Sequence, residues 1–162
     1  MITIAKASVK DAALIQQLAQ EIWYPTYEPI LSKEQIDFML EKMYSVSALE
    51  ESINQENTEF FLFHERDLAV GFIGMKKKDD VLRIDKLYLL PSTQGKGYGK
   101  KFIDFAAKEA KKMGLQALEL NVNRNNNAYY FYLKQGFEVV EEVDIPYYQF
   151  TMDDYVMRMK LK

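Results

Sequence analysis

A glycine-rich turn between a hydrophobic strand and an amphipathic helix constrains this chain more than any other segment. Residues 89–99 read Leu-Leu-Pro-Ser-Thr-Gln-Gly-Lys-Gly-Tyr-Gly, and two lysines follow. Glycines allow a ligand to approach the backbone closely, and the free amides at a helix N-terminus attract anions. The segment therefore predicts a strand–turn–helix unit that binds a phosphate-bearing ligand. A surface turn without a ligand is the alternative that the segment alone leaves open.

The spacing of the glycines distinguishes between three kinds of phosphate-binding loop. A P-loop requires a glycine in place of Gln94 and a serine or threonine in place of Lys101. A dinucleotide-binding loop requires its third glycine one residue later than Gly99. The pattern that is present is Q-x-x-G-x-G, formed by Gln94, Gly97 and Gly99.

A second motif lies downstream, and the two motifs together carry a family resemblance. The second reads N-x-x-A-x-x-F-Y-x-x-x-G-F and is formed by Asn125, Ala128, Phe131, Tyr132, Gly136 and Phe137. In this order, with a helix and a strand between them, the two motifs resemble those of the GNAT superfamily of N-acetyltransferases. The resemblance covers residues 82–137 specifically. It implies acetyl-CoA as the cofactor and direct transfer of the acetyl group to an amine.

The resemblance also implies roles for individual residues. Tyr132 would contact the cofactor and protonate the departing CoA thiolate, and a backbone amide near Leu87 would stabilise the oxyanion. The implied cofactor contacts are, besides Tyr132, Leu87, Tyr88, Leu89, Gln94, Gly95, Lys96, Gly97, Tyr98, Gly99, Lys100 and Asn125. From its chemistry alone, Tyr132 on a core-facing helix would be a packing residue.

The strand before the glycine turn changes the phase of its apolar residues. Leu82 and Ile84 occupy even positions, whereas Leu87 and Leu89 occupy odd positions. A β-bulge shifts the phase by one residue and leaves backbone amides unpaired. A strand that is buried on both faces explains the same run of residues.

The reaction needs a group that removes a proton from the amine. An alkyl amine with a pKa of about 10.4 is neutral in only about one molecule per thousand near physiological pH. Glu119 is the acid nearest to the second motif, six residues before Asn125. A water relay and an acid from another segment are equally open, so no base is assigned.

Acceptor specificity in the GNAT superfamily is set mainly between the first two helices and near the C-terminus. The acceptor residues expected here are Trp23, Tyr27, Glu28, Tyr147 and Tyr148, and Asp153 and Asp154 follow them. Aromatic rings and carboxylates suit an ammonium group through cation–π contact and ion pairing. These segments resemble the bacterial polyamine acetyltransferase branch that acts on spermidine and spermine. The alternatives are rings that only seal loops over the core, peptide N-terminal acetylation, and a non-catalytic acetyl-CoA sensor.

Composition excludes several classes of function. The chain has no cysteine, which excludes disulfides, thiolate metal sites and acyl-cysteine chemistry. Its single histidine argues against a metal cluster or a catalytic triad, so we expect no metal. The net charge of −3 argues against nucleic-acid binding. No apolar segment approaches the roughly 18 residues of a membrane span, so we expect a soluble cytoplasmic protein without a membrane partner; a homodimer is compatible with the sequence.

The order of strand and helix patterns predicts one α/β domain over residues 1–162. The patterns give a strand, helices, three strands, a helix, a strand, a helix and two strands. We therefore expect a mixed, mostly antiparallel sheet of six to seven strands flanked by helices, as in the GNAT fold. The first helix is expected to end at Pro25, and the last strand to span Tyr155 to Leu161. Hairpins are expected at residues 66–67 and 79–80.

Overall fold

The computed structural model describes residues 1–162 and contains one seven-stranded sheet between two groups of helices. The strands are β1 (Ile2–Lys6), β2 (Thr58–Glu65), β3 (Leu68–Lys78), β4 (Val81–Leu89), β5 (Ala117–Asn123), β6 (Glu138–Tyr147) and β7 (Phe150–Lys160). The α-helices are α1 (Ala12–Tyr27), α2 (Lys33–Tyr44), α3 (Val46–Asn54), α4 (Tyr98–Lys112) and α5 (Ala128–Gln135), and short 3₁₀ helices cover Val9–Asp11 and Pro91–Thr93. None of the helices is long and apolar enough to cross a membrane. The predicted fold class is confirmed.

The sheet is antiparallel except at its centre. Its strand order is β1-β2-β3-β4-β5-β7-β6, and only β4 and β5 run parallel. The β2–β3 and β3–β4 hairpins turn where the sequence predicted, at Arg66 and Asp79, whose φ angles are 59° and 54°. The parallel pairing is short, because β4 and β5 separate beyond the pair Ile84–Leu120. The carboxyl ends of the two strands therefore diverge, and ligands of α/β sheets bind at such an opening.

Two hydrophobic cores cover the two faces of the sheet. On one face, α4 and the residues around α5 bury Phe63, Phe102 and Phe137 against the strands. On the other face, α1, α2 and α3 bury Trp23 and Phe72. Because both faces are covered, the central strands carry apolar residues on both sides.

Strand β4 contains the predicted bulge. Asp85 has no partner on β3, because the flanking pairs are Gly74–Lys86 and Met75–Ile84. Beyond the bulge, Tyr88 packs into the core under α1, whereas Leu87 and Leu89 pack into the core under α4. Both explanations of the phase change, the bulge and burial on two faces, therefore apply to this strand.

Helix α1 extends further than the sequence predicted. It passes through Pro25 and ends at Tyr27. Proline lacks an N–H and so removes one hydrogen bond of the helix, but a helix can retain its last turn when other contacts hold it. Here the hydroxyl of Thr26 donates to the carbonyl of Ile22 at 2.7 Å. The ring of Tyr27 also packs on that of Trp23, with 4.6 Å between the ring centroids.

Strand β7 begins at Phe150 rather than at the predicted Tyr155. Its first residues are polar or mixed and carry no strand signal of their own. They are extended because they pair with β6 from the Tyr147–Phe150 turn onward. The early start places Asp153 and Asp154 inside the strand.

Candidate active site

The diverging ends of β4 and β5 open into a cleft of about 1190 Å³. The glycine turn and the start of α4 line one end, the middle lies between β4, β5 and α5, and the end of α1 with α2 lines the other end. Most residues expected from the sequence meet here: Trp23, Tyr27, Leu87, Tyr88, Leu89, Gln94, Gly95, Gly97, Tyr98, Gly99, Lys100, Asn125 and Tyr132. Residues far apart in the chain thus share one concave surface.

The glycine turn presents a row of free amides to the cleft. Gly95 and Gly97 have φ angles of 84° and 77°, and a Cβ atom added at either would meet nothing within 4 Å. The backbone amides of residues 95–100 have no backbone carbonyl as a hydrogen-bond partner. No side chain caps the N-terminus of α4 at Gly97. Free amides at the start of a 15-residue helix, with open space in front of them, fit a diphosphate group.

The side chains around the turn have other partners. A Cβ atom on Gly99 would lie 2.9 Å from the Phe131 ring, so glycine is needed there for α4 to approach α5. The Lys96 ammonium is 3.1 Å from a carboxylate oxygen of Glu65, and the Tyr98 hydroxyl donates to the same carboxylate. Lys96 does not line the cleft. Lys96 and Tyr98 can therefore serve an anion in the cleft mainly through their amides.

The edge of β4 that faces β5 is free beyond Ile84. The amide of Leu90 donates to the carbonyl of Val70 on β3 at 2.8 Å. Alternate residues of a strand direct their backbone groups to opposite sides. The backbone groups of Leu87 and Leu89 therefore point away from β3, into the gap between β4 and β5, where they can bind an extended ligand.

The Tyr132 side chain lies beside the same gap. Its ring packs edge-on against Phe137, with 5.6 Å between the centroids. Its hydroxyl has no hydrogen-bond partner in the protein and is not among the fully occluded polar atoms, so it opens to the cleft. Burial, and secondarily the nearby Tyr27, raise the pKa of Tyr132 above its ordinary value of 10.0. The phenol therefore holds its proton at neutral pH, as a general acid must.

An aromatic wall, made of Trp23, Tyr27 and Tyr88, closes the other end of the cleft. The hydroxyls of Tyr27 and Tyr88 are 2.9 Å apart, and the Trp23 ring lies 5.8 Å from that of Tyr88. Burial is the main cause that raises the pKa of Tyr27 and Tyr88, so both phenols are neutral. The Trp23 Nε1 atom is buried without a hydrogen-bond partner. Tyr27 and Tyr88 are partly exposed, and aromatic rings can bind a cation through their π faces.

Three of the expected acceptor residues lie outside the cleft. Tyr147 and Tyr148 pack around Phe38 of α2, at centroid distances of 6.2 and 5.1 Å. Tyr148 is 67% exposed, and the ammonium of Lys42 lies 5.0 Å from its ring. Glu28 is exposed just after α1. The structure does not bring Tyr147 and Tyr148 to the cleft, because the β6–β7 turn packs on Phe38 of α2.

Glu119 is held between two arginines and does not line the cleft. Its carboxylate accepts from Arg83 Nη1 at 2.5 Å and from Arg158 Nη2 at 2.5 Å. Burial by itself would raise the pKa of Glu119, but the hydrogen bonds and charges of the two arginines outweigh it and lower the pKa below 4.5. A carboxylate with a lowered pKa and both oxygens occupied is a poor proton acceptor.

We predict that Glu119→Gln lowers the stability of the protein. Removing one partner of a largely buried ion pair costs about 3 kcal/mol, which lowers Tm by roughly 6–12 °C in a chain of this size. Because the folded-state pKa is lowered, the stabilisation by Glu119 is complete above pH 4.5 and is lost as the pH falls below it. The difference in Tm between wild type and variant, measured by circular dichroism, should therefore shrink in acid. The control Glu142→Gln removes a carboxylate that is 65% exposed, and we expect a change of no more than about 1 kcal/mol; equal effects of the two variants would contradict the prediction.

Four charged residues line the cleft without having been assigned as site residues from the sequence: Arg83, Asp85, Lys86 and Asp154. Asp154 on β7 is 9% exposed and lines the cleft. Lys86 follows the bulge, its ammonium lies 5.4 Å from the Tyr44 ring, and burial lowers its pKa against a smaller opposing effect of Asp85. The sequence drew attention to Asp154 only as part of the Asp153–Asp154 pair after the acceptor segment, whereas Arg83, Asp85 and Lys86 had no distinguishing pattern within β4.

The chain is similar to proteins of known family. The sequence profile described as an acetyltransferase (GNAT) domain matches residues 27–149. The chain is 34% identical over 149 residues to the spermidine N(1)-acetyltransferase of Thermoplasma acidophilum, covering 88% of this chain and 91% of that protein.

Solved structures extend the likeness over the full chain. The crystal structure of the PaiA N-acetyltransferase from Thermoplasma acidophilum in complex with coenzyme A superposes with a TM-score of 0.87 at 30% identity, covering 99% of both chains. The ribosomal-protein-S18-alanine N-acetyltransferase from Escherichia coli superposes with a TM-score of 0.76 at 17% identity, covering 100% of this chain and 95% of that one. At this low identity, the second comparison shows a shared fold alone.

Proposed function

Because this chain belongs to the acetyltransferase (GNAT) family, whose members use acetyl-CoA, we propose that it transfers the acetyl group of acetyl-CoA to a primary amine of a polyamine such as spermidine. The observation that carries the proposal is the continuity of the cleft. It joins the free amides of the glycine turn, the Tyr132 hydroxyl and the aromatic wall in one volume. We assign all of residues 1–162 to this one domain, since the sheet uses strands from both ends of the chain.

The cofactor would be held mainly by backbone groups. The amides of residues 95–100 would bind the diphosphate, and the free edge of β4 at Leu87 and Leu89 would bind the pantetheine arm. Asn125, exposed at the mouth of the cleft, would contact the same arm. When bound, acetyl-CoA supplies an acetyl group that is activated as a thioester. Backbone recognition of this kind depends on loop geometry, which explains why the glycines carry the motif.

Two groups of this chain would assist the transfer. The amide of Leu87, free on the side of the gap, would donate to the oxygen on which negative charge develops. The Tyr132 hydroxyl would donate its proton to the departing sulfur. The raised pKa makes Tyr132 a weaker acid. Burial also raises the pKa of a thiol, so the pKa values of the phenol and the departing thiol remain matched.

The acceptor end favours a cationic amine. Trp23, Tyr27 and Tyr88 supply aromatic faces, and Asp154 supplies a carboxylate at the bottom of the cleft. Cation–π contacts add about 0.5–2 kcal/mol each, depending on desolvation. The spermidine acetyltransferase that shares 34% identity with this chain supports the same class of acceptor.

The proposal is tested by an acceptor panel. Purified protein is given acetyl-CoA with spermidine, spermine, an amino sugar, or a peptide with a free N-terminus, and the released CoA thiol is measured. We expect the highest kcat/KM with the polyamines, and mass spectrometry should identify the acetylated amine. Turnover confined to the peptide would make the protein an N-terminal acetyltransferase instead. Tight acetyl-CoA binding without turnover of any amine would make it a sensor.

A further inference from the structure

We propose that Asp154 is the general base, the carboxylate that accepts protons from the attacking amine. The inference rests on the proposed function and deepens it, because it assigns the one step for which the sequence indicated no residue. Asp154 lies on β7, directly opposite Asn123 of β5, at the point where β5 has separated from β4. It lines the same cleft as Tyr132 and Leu87.

One oxygen of the Asp154 carboxylate is committed and the other is free. Oδ2 accepts from Asn121 Nδ2 at 3.2 Å. Oδ1 has no partner in the protein, yet it is not among the fully occluded unpaired atoms, so it opens to the cleft. A carboxylate that is 9% exposed, with one lone oxygen facing a ligand cavity, is positioned to receive a proton from a bound molecule.

A chain of hydrogen bonds fixes this orientation. Arg83 Nη2 donates to Asn121 Oδ1 at 2.7 Å, so the amide nitrogen of Asn121 must point the other way, toward Asp154. Arg83 is itself held by Glu119 at 2.5 Å. Glu119, Arg83 and Asn121 are therefore positioning residues for Asp154. This gives the buried ion pair beneath the cleft a role in the site beyond stability.

Burial leaves the Asp154 carboxylate more basic than that of an ordinary aspartate. Burial raises the pKa of Asp154 most strongly, and the charge of Asp153 raises it as well. The hydrogen bond from Asn121 and the charges of Arg124 and Arg83 lower it. The net direction of the pKa is upward. The phenol of Tyr27 lies near enough for the Asp154 charge to raise its pKa as well. Burial disfavours the charged forms of both carboxylate and ammonium, so within the cleft the two pKa values approach one another. Proton transfer from the ammonium to Asp154 therefore costs less free energy than it would in water.

The other titratable groups of the region fit the role less well. Glu119 has both oxygens occupied by arginines and lies outside the cleft. Asp85 has a side chain that is 41% exposed, and its carboxylate lies 3.6 Å from Arg83 Nε. Lys86 is a cation in its usual form and would repel an ammonium. Asp154 is the buried carboxylate that lines the cleft.

An alkylammonium loses two protons in becoming an N-acetyl amide, one before the nitrogen attacks and one as the C–N bond forms. Asp154 Oδ1 accepts each in turn and passes it to water at the cleft mouth. The C–S bond breaks with its electron pair on sulfur, which takes one proton from Tyr132, and Tyr132 regains a proton from solvent. One proton is released to solvent per turnover.

The test compares Asp154→Asn with the neighbouring control Asp153→Asn. Asp153 is on the same strand, its side chain is 49% exposed, and it does not line the cleft. For each variant, kcat and KM are measured between pH 6 and pH 10 with spermidine and with a fluorinated ethylamine that is mostly neutral at pH 7.5. Calorimetry gives the Kd for acetyl-CoA, which verifies that each variant is folded and loaded.

For Asp154→Asn with spermidine, we expect kcat/KM at pH 7.5 to fall about 10²–10³-fold, as for loss of a general base. The fold loss in kcat/KM should be smaller with the fluorinated ethylamine than with spermidine. With spermidine, this loss should become smaller as the pH rises toward the pKa of the polyamine. The Kd for acetyl-CoA should stay within about twofold, and Asp153→Asn, which removes only a minor charge effect on Asp154, should lose far less kcat/KM than Asp154→Asn. An equal loss for the two amines at all pH values would overturn the inference, since it would indicate a structural role.

Failure of the inference and failure of the proposed function give different results. If wild type acetylates spermidine and Asp154→Asn does so equally well, the base assignment is wrong and the proposed function stands. If wild type acetylates no amine, the proposed function is wrong and the inference falls with it.

Discussion

Replacing Tyr132 by phenylalanine is expected to lower kcat about 10²–10³-fold while the Kd for acetyl-CoA stays within about twofold. The hydroxyl that is removed has no hydrogen-bond partner in the protein, so its loss leaves no buried group unsatisfied. The ring remains to pack against Phe137. Stability should therefore be unchanged, and the whole effect should appear in turnover.

The control for this variant is Tyr130→Phe, which makes the same chemical change on the same helix. Tyr130 is 63% exposed and does not line the cleft, so kcat should be unaffected. Steady-state kinetics with spermidine and calorimetry with acetyl-CoA give the two quantities. An unchanged kcat in Tyr132→Phe would show that Tyr132 is a packing residue and that another group protonates the thiolate.

The second expected result is that Gly97→Glu abolishes binding of acetyl-CoA, with a Kd raised by more than about 10²-fold, that is, by about 2.7 kcal/mol or more. The added carboxylate would stand beside the amides of residues 95–100 and repel the diphosphate through charge and bulk. The Cβ atom itself meets no neighbour within 4 Å, so the variant is not excluded by packing. Its φ of 77° lies in the left-handed region, which costs a side-chain-bearing residue about 1–2 kcal/mol of stability.

Gly114→Glu provides a matched control for backbone strain. Gly114 follows α4 at its other end, has a φ of 73°, and likewise has nothing within 4 Å of an added Cβ atom. Both variants should lose similar stability in thermal unfolding, but only Gly97→Glu should lose calorimetric binding of acetyl-CoA. If both bind the cofactor like wild type, the glycine turn is not the diphosphate site.

The parts of the fold that the sequence predicted have strong local patterns. The glycine turn and α4 are one example, because positive φ angles, an amphipathic repeat and a terminal glycine all act within a few residues of each other. The bulge at Asp85 is only partly of this kind: the change of alternation is visible in a single strand, but burial on both faces explained it equally well. Local chemistry was sufficient for the glycine turn and α4.

The sequence predicted the structure less well where contacts between distant segments determine it. Pro25 indicated the end of α1, but contacts of Tyr27 with Trp23 extend the helix. Tyr147 and Tyr148 resembled acceptor residues, but the β6–β7 turn directs them to Phe38. Both cases depend on packing between elements, which no local pattern encodes.

The sequence by itself identified the family and predicted the glycine turn before α4, because glycine spacing and helix periodicity are properties of neighbouring residues. Only the tertiary structure decided which acids could act on a proton. Glu119 lies between Arg83 and Arg158, which are 36 and 39 residues away in the chain. Its carboxylate is therefore occupied by ion pairs with the two arginines. Asp154 is buried with one free oxygen in the cleft. The basicity of a carboxylate depends on burial and on the charges that the fold brings near it, and these are set by contacts between strands rather than by position in the sequence.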